Sequence, residues 1–491
     1  MKIVALSDTH FAENSPLPRR RGELADILLQ RAVHRINRWI RPDVVVVLGD
    51  LVNDGHGPHA IEYLQRLRSI LDTLTCPVIV LPGNHDGDVA AFSTVFPMTQ
   101  SRDVQGVRFL SFLDPEEPGY NARRTSAELA RMAAARHGYS GPIVALQHCA
   151  LYPPEMSECP YNYVNADEVL AAMRAQGVSL AISGHYHQGV DIVRHDGGAC
   201  IITPALCEPP FAFLEITMTG DTVTSVTRHQ LAMPPEFGLV DCHVHTPFAY
   251  CGEDMDFQKS IQLAEAFNLG GLFFTEHSGH LYFDAETYHR CAFLNEGATY
   301  QQGVQNRFSR YLADAMPYCP PARLGIEADC DYHGRPVLHA DDRKDLQLLV
   351  GSVHALPELQ KPQPDMTRAA DEYLAEVSTF VTSGIHVLAH AFRVFRRAGV
   401  RTPEELFHPI VQLLREHGVA AEVNFHTNEP SPEFISMCIN AGVKLTFGSD
   451  AHALYEIGEF TPQLALLREC GFAGDPTEVL ADFAYGTCAV R

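Results

Sequence analysis

The sequence predicts an α/β protein of two domains, on three observations. Short apolar runs alternate with stretches of helical periodicity, and nearly all of these runs end on Asp, His or Glu. The rhythm stops once, at Leu231-Ala232-Met233-Pro234-Pro235-Glu236-Phe237-Gly238, and then begins again. At 491 residues the chain exceeds one ordinary core, so residues 1–230 and 239–491 are read as separate domains joined by 231–238.

In the first part, residues 3–6 form a buried strand, and Leu24, Ile27, Leu28, Ala32, Val33, Ile36 and Ile40 mark one face of a helix. Residues 43–48 hold four consecutive valines, the mark of a strand covered on both faces. Runs at 77–81, 142–146 and 180–183 repeat the pattern. Each leads into polar residues: Asp8-Thr9-His10, Gly49-Asp50, Gly83-Asn84-His85-Asp86, His148 and Gly184-His185-Tyr186-His187. Side chains placed at the carboxyl ends of strands converge on one edge of a rigid sheet. Strands at 190–194, 199–203 and 211–217, the first two joined by the turn 196–198, are expected to close this domain. In the second part, strands are expected at 272–275, 323–326, 347–350, 386–389, 419–423 and 444–447, a βα rhythm that suggests a barrel.

Composition narrows the function. A hydrophobic content of 46% and a charged content of 20% are those of a soluble globular protein. The net charge of -23 argues against a general nucleic-acid surface, since phosphate polymers are repelled except at local cationic spots. Part of the acidic excess is therefore expected to be metal ligands. No apolar run is long enough to span a membrane, and Asp8 follows the first short run too closely to leave room for a signal peptide. Thirteen cysteines without paired spacing fit a reducing compartment, and a cytoplasmic location is expected.

The ordered set Asp-x-His, Gly-Asp, Gly-Asn-His-Asp, His, Gly-His-x-His resembles the calcineurin-like metallophosphoesterase superfamily over the first domain, most closely its bacterial cyclic-nucleotide and glycerophosphodiester phosphodiesterases. The resemblance implies an αββα sandwich and two divalent metals. By it, Asp50 bridges the ions; Asp8, His10 and His187 complete one, and Asn84, His148 and His185 the other. His85 is then free to protonate the leaving oxygen or to stabilise charge on phosphorus. Two positions depart from the family pattern: Gln147 precedes His148 where a His-His pair is common, and Tyr186 replaces the usual Thr.

A second ordered set follows: Asp241-Cys242-His243-Val244-His245, Glu276-His277, Glu327, His354, His390 and Asp450-Ala451-His452. It resembles the polymerase and histidinol phosphatase (PHP) domain over residues 239–491. The resemblance implies a distorted β/α barrel holding two or three metals. By it, His243, His245, Glu327 and Asp450 hold one ion, Glu327 bridges to a second held by His354 and His390, and His277 and His452 hold the third. A further ligand of the third ion is expected at Glu253, with Cys251 and Asp254 as alternatives. Arg393, with Arg396 or Arg397, either clamps a substrate phosphate or is a solvated cation. His280 and Tyr282 either line a pocket or are polar surface, and Glu422 and Asn424 either contact ligand or cap a strand. Cys242 is expected to point away from the metals by strand alternation.

Mixed imidazole and carboxylate donors suit Mn, Fe or Zn. The expected activity is a tandem, metal-dependent phosphoric ester hydrolase whose first domain cleaves a small phosphodiester and whose PHP domain hydrolyses a monoester. The alternatives are a single active domain with the other regulatory, or a nuclease acting on nucleic-acid ends. The expected partner is a small phosphoester, with no membrane, nucleic acid disfavoured and homo-oligomerisation left open.

Overall fold

A computed structural model describes residues 1–15 and 17–483. The chain divides into two compact units, residues 1–232 and 233–491.

The first unit is built on two facing sheets. One has the order β13-β12-β1-β2-β3, with β1 at Lys2–Leu6, β2 at Val44–Val47, β3 at Val78–Val80, β12 at Ala212–Thr219 and β13 at Thr222–Gln230. The other has the order β10-β11-β9-β8-β5-β4, with β4 at Ser101–Val104, β5 at Val107–Ser111, β8 at Ile143–Leu146, β9 at Val178–Ser183, β10 at Val190–His195 and β11 at Gly198–Ile202. A small hairpin, β6 at Glu116–Glu117 and β7 at Asn121–Ala122, stands apart from both.

Strand alternation explains why these segments are apolar throughout. Ile3, Ala5, Val44 and Val46 meet Val144, Leu146, Leu180 and Ile182 in one core between the sheets. Their neighbours Val4, Leu6, Val45 and Val47 are also fully buried, on the opposite face. Ile143, Ala145, Val178 and Ala181 point the other way, to Met132, Val169 and Met173 of the helices Ser126–Arg136 and Ala166–Gln176. Each sheet is thus covered on both faces, which calls for continuous apolar strands.

The closing strands differ from the expectation. β10 and β11 do form a hairpin, but β12 crosses to the other sheet and pairs antiparallel with β1. β4 and β13 leave little apolar signal because they are edge strands with exposed polar residues, as in Thr222-Val223-Thr224-Ser225.

The second unit is a seven-stranded parallel barrel in sequence order: β14 at Val240–Val244, β15 at Gly271–His277, β16 at Arg323–Asp329, β17 at Leu348–Ser352, β18 at Val387–Leu388, β19 at Ala420–Val423 and β20 at Leu445–Phe447. A parallel bridge between Val244 and Ala451 joins its ends. Position along the strand separates core from site here. Phe273, Val350 and Ala420 belong to an apolar cluster, while His277, Ser352 and Glu422 stand further along the same faces. Cys242 joins that apolar cluster. Outside the barrel, Val377, Phe380, Ile410 and Leu414 of the helices Met366–Thr382 and Phe407–His417 pack on the strand residues Leu388, Ala421 and Val423. Among the described residues, no helix is long and apolar enough to cross a membrane.

Candidate metal centres

In the first unit, the loops after β1, β2, β3, β8 and β9 bring seven donor residues together. His10 Nε2 lies 3.5 Å from Asp50 Oδ2, 3.7 Å from Asp8 Oδ1 and 3.2 Å from His187 Nε2. On the other side of Asp50, His148 Nε2 lies 3.3 Å from Asp50 Oδ2, 3.0 Å from Asn84 Oδ1 and 3.1 Å from His185 Nδ1. Two donor groups therefore share one carboxylate. Asp8, His10, Asp50 and His185 all adopt left-handed backbone, with φ of 56°, 46°, 52° and 71°. That conformation is uncommon outside glycine and is tolerated where function requires it.

Neighbouring groups fix which atoms face inward. His148 Nδ1 donates to Leu48 O at 2.7 Å and His187 Nδ1 to Glu208 Oε1 at 2.6 Å, so both Nε2 atoms are presented to the cluster. Asp86 accepts from the backbone N–H groups of Leu51, Val52 and Gly83, tying two of the loops together. Burial and the nearby Asp50 push its carboxyl up to about 7. Burial alone would raise the Asp50 carboxyl too, but the attraction and hydrogen bond of His148 hold it well below the usual range. His85 stacks edge-on against His10 and donates from Nδ1 to Asn53 O at 2.8 Å.

Four residues near this centre carry no short motif. Glu208 orients His187, and Arg20 Nη1 lies 3.4 Å from His10 Nδ1 and donates to Asn53 Oδ1 at 3.0 Å. Cys207 lies within ligand-sharing distance of His10 and His187. His185 Nε2 donates to Tyr120 O at 3.1 Å. Tyr186 donates to Gln188 and packs on Tyr161, and is not among the residues that line the adjoining cavity.

In the second unit, Glu327 sits at the middle. Its Oε2 lies 3.5 Å from His243 Nε2, 3.7 Å from His245 Nε2 and 2.5 Å from His277 Nδ1. Its Oε1 lies 3.2 Å from His354 Nε2 and 3.0 Å from His390 Nε2. Asp450 Oδ1 is 2.9 Å from His245 Nε2 and 3.5 Å from His243 Nε2. The rings of His277 and His452 flank His245, each with its centroid 4.2 Å away.

A carboxylate behind each of three imidazoles holds it in place: Glu422 at 2.7 Å from His243 Nδ1, Glu276 at 3.4 Å from His245 Nδ1 and Asp329 at 2.8 Å from His354 Nδ1. Glu422 also accepts from His390 N and from Asn424. Glu422 and Asn424 are therefore supports of the cluster from behind.

Three sets of alternatives are narrowed by the geometry. Glu253 is exposed, and the side chain that its turn brings to the cluster is Cys251, with Sγ 3.6 Å from His277 Nε2; Asp254 instead accepts from Leu454 N. The reason is local: the turn is tied to the loop that carries His452 through its backbone, Glu253 N–H donating to His452 O at 2.8 Å, while the Glu253 side chain is exposed. Arg393 is no solvated cation: it is buried, with Nη1 2.5 Å from Asp450 Oδ2 and Nη2 3.2 Å from His354 Nε2, whereas Arg396 pairs with Glu429 at the surface. His280 is buried beside Glu276 and Cys251, but the Tyr282 hydroxyl turns to Asp342.

Both clusters fit divalent cations. Asp8 Oδ1 in one, and His243 Nε2 in the other, are buried without a hydrogen-bond partner. Buried polar atoms that converge unpaired are costly unless a ligand satisfies them. The donors are imidazole, carboxylate and one amide, with the Cys251 thiol beside His277, a set suited to borderline divalent ions.

Comparison with known proteins identifies a family for each unit. A family model described as calcineurin-like phosphoesterase matches residues 1–189, and one described as PHP domain matches residues 241–426. The first half is 31% identical over 213 residues to a "Probable cyclic nucleotide phosphodiesterase" of Rhodopseudomonas palustris, covering 39% of this chain and 73% of that protein. A protein of the same description from Xenorhabdus bovienii is 22% identical over 260 residues, 49% of this chain and 99% of the relative. A "Probable histidinol-phosphatase" of Deinococcus radiodurans is 25% identical over 264 residues, 48% of this chain and 94% of the relative. Both families are divalent-metal-dependent phosphoesterases. The chain belongs to the calcineurin-like phosphoesterases through its first unit, its second unit matches the PHP domain over residues 241–426, and it is a phosphoric ester hydrolase.

Proposed function

We propose that this protein is a tandem phosphohydrolase in which the first unit opens a small phosphodiester and the PHP unit removes phosphate from the resulting monoester. The observation that carries this reading is the shared carboxylate in each unit: Asp50 stands between two donor groups, and so does Glu327. A carboxylate so placed suits a pair of cations, and paired cations suit phosphoryl transfer. We assign one ion to Asp8, His10, His187 and Asp50, and a second to Asp50, Asn84, His148 and His185. In the PHP unit the assignment is His243, His245, Glu327 and Asp450 for one ion, and Glu327, His354 and His390 for another. His277, His452 and Cys251 would hold a third. Mn, Fe or Zn fits these donors.

When bound, such ions supply Lewis acidity, water activation near neutral pH and neutralisation of phosphoryl charge. The protein's own groups do the rest. His85, with Nδ1 committed to the Asn53 carbonyl, keeps Nε2 for the leaving oxygen. Arg20 adds positive charge beside His10. In the PHP unit, Arg393 carries its guanidinium between Asp450 and His354, where it can meet the oxygens of a monoester.

The test is product release from a panel of mono- and diesters with Mn or Zn, comparing the intact protein with Asp50→Asn and His243→Ala. Diester cleavage lost in the first variant, with monoester cleavage lost in the second, supports the two-step reading. If Asp50→Asn still releases phosphate from a diester as fast as the intact enzyme, the sequence of steps is wrong. If one variant abolishes both activities and the other neither, a single unit is catalytic.

A further inference from the structure

A cavity of about 340 Å³ opens directly on the first metal centre, with Asn84, His148 and His185 in its wall. This volume lies in the range of small-molecule sites. The residues that line its outer part are of two kinds. Val89, Leu113 and Tyr120 are apolar and 44%, 41% and 63% exposed. The charged residues are both carboxylates, Asp114 and Glu116, and no Lys or Arg is present among the lining residues.

The two carboxylates are not equivalent. Asp114 is buried against Arg124, with Oδ2 2.7 Å from Nη2, and accepts from Tyr163 at 2.6 Å, so its charge is balanced from behind. Glu116 is exposed on the small hairpin and has no cationic partner among the described residues; the neighbouring pair is Glu117 with Arg123. The positive charge near this centre, Arg20, stands instead beside His10, in the other donor group. The site is therefore polarised, with a cation beside one donor group and an unbalanced carboxylate in the cavity that adjoins the other.

Resting on the reading of this unit as a diesterase, we infer that the cavity holds an ester group of the substrate and that Glu116 makes it anion-excluding. The substrate class is a diester whose single negative charge is the scissile phosphate, with an uncharged aryl or nucleobase group against Leu113 and Tyr120. Diesters with a second phosphate or a carboxylate are disfavoured at low salt, because the added charge shares the cavity with Glu116. Nucleic-acid strands fall in the disfavoured class.

The experiment compares two near-isosteric symmetric substrates, bis(4-carbamoylphenyl) phosphate and bis(4-carboxyphenyl) phosphate, by chromatographic assay of the released phenol at low salt. Symmetry ensures that whichever ester group enters the cavity carries the tested substituent. The full-length metal-loaded enzyme is expected to favour the carbamoyl diester by about tenfold or more in kcat/KM. In Glu116→Lys the ratio should fall to within about threefold, a substitution that an exposed hairpin position tolerates structurally. Glu62→Lys makes the same charge change at an exposed helix residue outside the cavity and should leave the ratio high. A ratio near one in the intact enzyme, or equal movement in both variants, overturns the inference. Cleavage of neither diester, or full cleavage by Asp50→Asn, sinks the diesterase reading and the cavity's role with it.

Discussion

Replacing Arg124 by Met should cost the first unit about 4 kcal/mol. The side chain is fully buried, with Nη2 and Nε 2.7 and 3.1 Å from Asp114 Oδ2 and the guanidinium 3.6 Å above the Phe112 ring. Removing one partner of a buried ion pair leaves the other charge uncompensated, which typically costs about 3–5 kcal/mol. Met keeps most of the volume, so a cavity adds little. Tyr163 still donates to Asp114 and offsets a fraction of the loss. If the cost is stranded charge rather than lost packing, Arg124→Met combined with Asp114→Leu should recover at least half of it, the remainder being the unpaired Tyr163 hydroxyl at about 1 kcal/mol. Trp39 is the sole tryptophan and lies in the first unit, so urea denaturation followed by its fluorescence reports this unit separately from the other. A loss below about 1 kcal/mol in the single variant, or a double variant no better than Arg124→Met, would refute the reasoning.

Other perturbations separate the two centres. Glu208→Gln and Glu422→Gln remove the carboxylates behind His187 and His243, and each should weaken metal retention in its own unit by roughly 10–100-fold, read by chelator competition. A Cβ at Gly448 would lie 2.0 Å from Glu422 Oε1 and 2.8 Å from His243 Cβ, so Gly448→Ala should lower monoester turnover while diester turnover persists. Cys251→Ser is expected to lower the metal content of the PHP unit, and Glu253→Gln to leave it at the level of the intact protein, as measured by elemental analysis. Burial, and then the nearby Glu372 and Asp331, push the Glu376 carboxyl up to about 8. An acid raised on folding favours the folded state fully below its unfolded pKa of about 4.5 and loses that contribution as pH rises through the folded value. Thermal unfolding followed by circular dichroism should therefore show the PHP unit losing stability, by up to a few kcal/mol, between about pH 4.5 and 8, and Glu376→Gln should flatten the trend.

The barrel was legible because its strands carry the pattern of a sheet covered on both sides, as in Leu348-Leu349-Val350, and because polar residues follow them at regular intervals. The same holds for the four valines of β2, which face two cores in alternation. β4 and β13 were not legible, since an edge strand buries only part of one face. The donors themselves sit in short motifs at strand ends. No motif pairs these donors with the groups that aim them: Glu422 stands at a strand end but reaches His243 across 179 positions of sequence, and Arg20 reaches His10 from within a run of three arginines. Such partners are fixed by the closed sheet and by loop packing, which leave no local periodicity. Glu253 and Cys251 differ by two positions in one turn, and only the path of that turn distinguishes them.

Asp8, His10, Asp50 and His185 in one centre, and His390 and Asp450 in the other, with φ of 30° and 55°, all hold backbone that glycine would adopt more cheaply. At about 1 kcal/mol or more per position, the total rivals the net stability of a domain. Substitution of these donors by glycine would thus relieve backbone strain while removing the ligand. In duplicated copies released from selection for hydrolysis, glycine should accumulate first at these positions, and a glycine at 50 or 450 would mark a descendant that has kept the fold and given up the chemistry.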